Sequence, residues 1–182
     1  MDLLLTESGN GGDLVKTRKD LCVIEGLENM VYLALFGGNV EASTPVERLE
    51  SEQAFDWWGN TLFHKDTPGI QFNSLTELTL QQVSLTSAGR IVIENAVKQD
   101  LQFLKEFASV SVAVSIPETD KIIIGVMLQQ PDNLEKKIYE YVWDATRAEL
   151  NSTDCGCPKD DTAYAGGEGI GYWFVEEDFE IT

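Results

Sequence analysis

The chain has 182 residues, with 31 acidic and 13 basic side chains and a net charge of −18. This length predicts one domain of about 150 residues plus an appendage, and a core of the expected size needs no disulfide or metal to hold it. The negative charge opposes attraction to phosphate backbones and anionic lipid, so neither nucleic acid nor a membrane is an expected partner.

The N-terminus and the cysteines predict a protein that stays where it is made. The first residues lack the basic flank and the long apolar stretch of a secretion signal. Three cysteines, Cys22, Cys155 and Cys157, make an odd number, which predicts reduced thiols. The close pair in Cys155-Gly156-Cys157 favours free thiols in a turn, with a metal site and a redox pair as open alternatives.

The first forty residues predict a small β layer followed by a helix. Residues 2–5 include three leucines and lead into a stretch at 8–13 that is rich in glycine and small polar residues, which favours a hairpin-like turn. Residues 21–24 are typical of a second buried strand. From residue 27 the apolar side chains recur at helical spacing until Gly37-Gly38, which favour a helix end.

Residues 39–73 show no sustained period, which predicts an ordered loop. It holds an aromatic cluster that includes Phe55, Trp57 and Trp58. An irregular stretch of this length in a small domain is unusual, and it is typical of functional loops or of loops that dock onto a neighbour. A short helix is predicted after it, around residues 75–83.

The strongest periodic signal covers residues 86–108. Ile93, Val97 and Leu101 begin an apolar stripe at steps of three and four residues, which predicts one long helix with Thr86 or Ser87 as its cap. Residues 109–116 and 121–130 then predict a β-hairpin. Residues 134–147 fit a helix and an alternating strand equally well.

The last 32 residues differ from the rest of the chain. They carry eight acidic side chains, one basic side chain and five glycines, together with the aromatic run Tyr172-Trp173-Phe174. We therefore predict a core over residues 1–148 and an acidic C-terminal extension over residues 149–182. The predicted fold is α+β, with a small mixed or antiparallel sheet against one long helix and one or two short ones, and an extended C-terminal arm.

No residue pattern predicts catalysis, a cofactor site or a metal site. His64 is the only histidine, and no nucleophile motif accompanies it. The glycine-rich run 166–171 lacks the lysine and hydroxyl partner of a phosphate loop. The carboxylates carry no signature, although a small acidic cell-wall hydrolase remains an alternative.

The aromatic residues are instead the candidate interface. Tryptophan and tyrosine bury a large area with few rotatable bonds, so they often anchor contacts between proteins. For the loop, packing onto the chain's own core and ligand stacking remain alternatives. The predicted interface comprises Phe55, Trp57, Trp58, Tyr172, Trp173 and Phe174.

The order of motifs resembles the Mu-type tail protein family of contractile bacteriophages. The resemblance rests on Gly26-Leu27-Glu28-Asn29, then Trp57-Trp58-Gly59, then a long helix ending Leu101-Gln102-Phe103-Leu104, then Tyr141-Val142-Trp143-Asp144. The last motif is similar to a terminal aromatic strand in that family, which favours a strand for residues 134–147. The chain lacks the Glu-Pro-Arg motif found in related sheath-initiating subunits.

This resemblance implies a structural subunit and no enzyme. It implies a place in the tail baseplate of the virion after synthesis in the host cytoplasm. It also implies about six copies around the tail axis, in the closed symmetry usual for such assemblies. Its partners would be other wedge proteins and the tail tube or sheath, without nucleic acid or membrane. The same subunit in a non-phage contractile injection system is the remaining alternative.

Overall fold

The protein has an α+β fold, as predicted. Its computed structural model describes residues 2–7, 12–16, 20–24, 26–38, 60–63, 65–66, 72, 74–131, 136–152 and 179. The N-terminal layer consists of four short strands, in two antiparallel pairs, β1 with β4 and β2 with β3. Their bounds are β1 Asp2–Leu3, β2 Leu5–Glu7, β3 Gly12–Leu14 and β4 Val23–Ile24.

A buried asparagine fixes this layer to the first helix, α1 (Glu28–Phe36). The Asn29 Nδ2 donates hydrogen bonds to Asp2 Oδ2 (2.8 Å) and to the carbonyl oxygen of Leu3 (2.6 Å). Its Oδ1 accepts a hydrogen bond from the backbone N–H of Leu5 at 3.0 Å. Because all these polar groups are paired, the side chain can be buried without a large desolvation cost.

Three further helices follow: α2 (Asn60–Phe63), α3 (Leu75–Gln82) and α4 (Ser87–Asp100). The Thr86 Oγ1 accepts the N–H of Gly89 at 3.1 Å and so caps α4, as the sequence predicts. The prediction of one helix over 86–108 is wrong in its last third. The α-helix ends at Asp100, and a 3-10 helix covers Gln102–Glu106. The apolar stripe continues across this change because Leu101 and Leu104 are both buried.

The central sheet has four antiparallel strands in the order β5-β6-β7-β8. The predicted hairpin is confirmed. Within the ambiguous segment 134–147, Lys136–Asp144 forms a strand, as the resemblance favours. The extension predicted to begin at residue 149 contributes the fourth strand, whose Leu150 is buried and pairs with Trp143. The sheet therefore extends four residues past the predicted boundary. The strand bounds are β5 Ser109–Glu118, β6 Lys121–Gln129, β7 Lys136–Asp144 and β8 Glu149–Ser152.

The main core lies between one face of the sheet and helices α1, α3 and α4. The ring centroids of Phe36 on α1 and Tyr141 on β7 are 5.2 Å apart. An ion pair between Lys137 Nζ and Glu28 Oε1, at 2.7 Å, joins the same two elements. The fully buried side chains of this core include Val31, Leu35, Ile93, Val97, Leu104, Ile122, Ile124 and Val126.

Cys22 corrects the expectation of reduced thiols. It lies in a small cluster of the N-terminal layer, between the buried side chains of Leu4 and Ile24, and it is disulfide-bonded. An odd number of cysteines still allows one bridge with one thiol left over. The other two cysteines, Cys155 and Cys157, lie outside the described residues.

Candidate interaction surfaces

The six predicted interface residues all lie outside the described residues, so their role stays a prediction. These residues are Phe55, Trp57, Trp58, Tyr172, Trp173 and Phe174. The predicted loop at 39–73 contributes residues 60–63, 65–66 and 72 to the structure, and the acidic extension contributes 149–152 and 179. Both regions nevertheless present described residues that define candidate surfaces.

Helix α2 is anchored to the protein by its first residue. The Asn60 side chain is buried. Its Nδ2 donates to the carbonyl oxygen of Phe72 at 2.7 Å, and its Oδ1 accepts the N–H of Phe72 at 3.0 Å. The Phe72 ring in turn packs against Phe103, with 5.2 Å between centroids. This amide pair therefore connects α2 to the main core.

The same short helix presents two large apolar side chains to solvent. Leu62 is 70% exposed and Phe63 is 66% exposed. They lie three and four residues after the end of the Trp57-Trp58-Gly59 motif. Exposed apolar residues become significant when they are large, adjacent and rigidly held, because a partner then buries them without first ordering the chain. We call this pair the α2 pair.

Sequence reasoning missed the α2 pair. Phe63 is followed by the polar residues His64, Lys65 and Asp66, so the local composition does not indicate an apolar surface. The available signal was that Leu62 and Phe63 are adjacent, bulky and apolar but belong to no longer stretch with helical spacing. Ile91 and Val92 on α4 are also exposed, at 52% and 49%, and they provide a comparison site of similar chemistry away from the predicted loop.

A second candidate surface is the sheet face opposite the main core, which we call the back face. Ala113, Gly125 and Glu140 lie directly opposite one another on β5, β6 and β7, so they share this face. Ile123 and Met127 share it as well, since each is two residues from Gly125. Phe179 packs in a cluster with Ala113, Ile123 and Met127 and is only 4% exposed.

The half-buried Asp100 carboxylate has a raised pKa, and it stabilises a helix end. It accepts hydrogen bonds from the N–H of Leu75 (3.1 Å), the N–H of Thr76 (2.7 Å) and the Thr76 hydroxyl (2.7 Å). Burial raises the pKa of Asp100 to about 6, while these hydrogen bonds lower it. Asp100, at the end of α4, therefore caps the start of α3.

Comparisons with known proteins gave no match to a family model, to a curated protein or to a solved structure. In the described part of the chain, no helix is long and apolar enough to span a bilayer. The described residues also contain no group of three or more histidine, cysteine or acidic side chains placed to hold a metal ion. His64 lies outside the described residues.

Proposed function

We propose that this chain is a structural subunit of a contractile tail baseplate, held by neighbouring wedge, tube or sheath proteins. One observation carries the proposal. The α2 pair, Leu62 and Phe63, is exposed on a helix that Asn60 fixes to the core. This helix directly follows the Trp57-Trp58-Gly59 motif, on which the resemblance to the Mu-type tail proteins partly rests.

The energetics favour a contact that forms once and persists. Burying the α2 pair in a partner contributes the hydrophobic free energy of two large side chains, and the anchored helix loses little conformational entropy on binding. The aromatic residues that precede α2 in the sequence would add tryptophan area to the same contact. These features are typical of subunits that are clamped in an assembly.

The charge of the chain supports contact with different proteins in preference to close packing of its own copies. Each copy carries a net charge of −18. Two such bodies repel each other when they approach within about a Debye length, which is about 8–10 Å at physiological salt. Larger neighbours with neutral or basic surfaces would separate the copies around the axis.

A complementation experiment tests this function. Cells that carry the encoding particle but lack this gene receive either the wild-type gene or a Leu62→Ser, Phe63→Ser double variant. We expect wild-type chain in purified particles with assembled baseplates. The double variant should remain soluble and folded but should be absent from particles, because the partner then loses its apolar contact.

The matched control is the Ile91→Ser, Val92→Ser double variant, which removes a similar exposed apolar area from α4. We expect this control chain in particles at the wild-type level. Complete baseplates in the absence of the gene would refute the proposed function. Equal incorporation of the α2 double variant would refute the role of the α2 pair.

A further inference from the structure

The back face carries its smallest residues on neighbouring strands, and the buried side chain of Glu140 lies next to them on β7. Ala113 and Gly125 contribute only a methyl group and a hydrogen atom at the centre of this face, on neighbouring strands. Ile123 and Met127 lie on either side of Gly125 along β6. Small residues between larger apolar ones leave a hollow that suits an aromatic ring, and Phe179 packs there with Ala113, Ile123 and Met127.

This contact is separate from the main core. The cluster around Phe179 lies on the opposite side of the sheet from the residues that pack against α1, α3 and α4. Removing one aromatic side chain from the back face therefore leaves the helix-to-sheet packing intact. The hollow therefore binds the Phe179 side chain, which we call the anchor, and both belong to the same chain.

The chain between β8 and Phe179 is long enough for Phe179 to reach the back face of a neighbouring copy. Twenty-six residues, 153–178, connect the end of β8 to Phe179. Fully extended, they span at most roughly 90 Å. A body of this length has a radius of gyration of about 16 Å, so the centres of two touching copies are about 40 Å apart. The anchor of one copy can therefore reach the hollow of the next.

We infer that the back face is a receptor for Phe179 of a second copy, so that neighbouring copies are joined by exchange of their C-terminal segments. The contacts made within one copy and between two copies are identical. Only the connection differs, so exchange depends on the concentration of copies relative to the effective concentration of the anchor within one copy. Exchange therefore competes when several copies are held within reach of one another, as around the axis of the proposed baseplate; only this arrangement rests on the proposed function.

Exchange also fits the charge of the chain. Compact contact between two copies brings net charges of −18 together, whereas an exchanged segment lets the bodies stay more than a Debye length apart.

Two full-length variants test the anchor and the hollow separately. Phe179→Ala removes the anchor and leaves the hollow, whereas Gly125→Val fills the hollow with a strand-forming side chain and leaves the anchor. Thermal unfolding first checks that each variant is folded; Ala113→Leu replaces Gly125→Val if the latter is not. Each variant is then studied by sedimentation alone and in an equal mixture, at about 0.5 mM chain and about 0.5 M salt to screen repulsion.

We expect each variant alone to be a monomer and the mixture to contain a one-to-one complex. Wild-type chain mixed with Phe179→Ala should associate at least about ten-fold more weakly, because its own hollow captures its anchor. The control mixture of Phe179→Ala with a Gly125→Val, Phe179→Ala double variant should stay monomeric. A monomeric test mixture, or a complex in this control, would overturn segment exchange, and neither result would affect the α2 pair or the proposed baseplate role.

Discussion

Asp100 should make the protein less stable as the pH rises towards neutrality, and Asp100→Asn should remove that loss. Burial raises the pKa of this carboxyl from 3.8 to about 6 in the folded chain, against the lowering effect of its hydrogen bonds to Thr76 and Leu75. The folded state therefore binds the proton more tightly than the unfolded state does. The resulting stabilisation is fully present below pH 3.8 and is lost as the pH rises through about 6.

The magnitude follows from the two pKa values. At about 1.36 kcal/mol per pH unit, the interval from 3.8 to about 6 corresponds to about 3 kcal/mol over the whole titration. About 1.3 kcal/mol of this falls between pH 5 and pH 7. This window keeps the chain above its isoelectric point of 4.2, where it retains negative charge and solubility.

Urea unfolding at pH 5, 6 and 7 measures the effect. The stability of Asp100→Asn relative to wild type should increase by about 1.3 kcal/mol between pH 5 and pH 7, because asparagine does not titrate. Asp144→Asn is the control for removal of one negative charge, since Asp144 also accepts two backbone N–H groups, from Thr146 and Arg147. A difference between Asp100→Asn and wild type that stays constant across this range would refute the reasoning.

Three further substitutions test the fold by chemical denaturation. Leu104→Ala should lower the free energy of unfolding by about 2–5 kcal/mol because the side chain is fully buried. The exposed control Leu62→Ala should change it by less than about 0.5 kcal/mol. Equal losses would contradict the buried position of Leu104. Alanine is more favourable than glycine in a helix by about 1 kcal/mol. Gly89→Ala should nevertheless destabilise α4, because the added Cβ would collide with the Ser84 carbonyl oxygen. A gain in stability would disprove that contact. Asn60→Ala should lower the free energy of unfolding by about 2 kcal/mol because it removes two buried hydrogen bonds to the backbone of Phe72. An unchanged stability would exclude the anchor.

Periodicity predicted most of the secondary structure because the main core is one-sided. The stripe through Ile93 and Val97 faces the sheet, and the hairpin strands place alternate residues against it. The same reasoning missed the helix end at Asp100, because the event that decides it is not local. Asp100 caps α3, more than twenty residues earlier in the chain, and no glycine or proline marks the change.

The back face was also beyond local prediction. An alternating pattern predicts one solvated face, yet Ala113, Ile123 and Met127 are buried there together with Phe179. The run Ile122-Ile123-Ile124 was the local sign of a strand buried on both faces. The residue that covers the back face of this strand is Phe179, which lies more than fifty residues away in the sequence. No window of neighbouring residues therefore contains both the strand and the residue that covers it.

The Asn60 amide has a consequence for how the chain can change in length. It makes two hydrogen bonds with the backbone of Phe72, twelve positions further on. Residues 60 and 72 are therefore held together whatever the length of the chain between them. Loop-closure entropy grows only logarithmically, by about 0.6 kcal/mol for each doubling in length. Insertions between residues 66 and 72 should therefore be tolerated during evolution, and the same place suits an epitope or a fluorescent reporter beside the exposed leucine and phenylalanine.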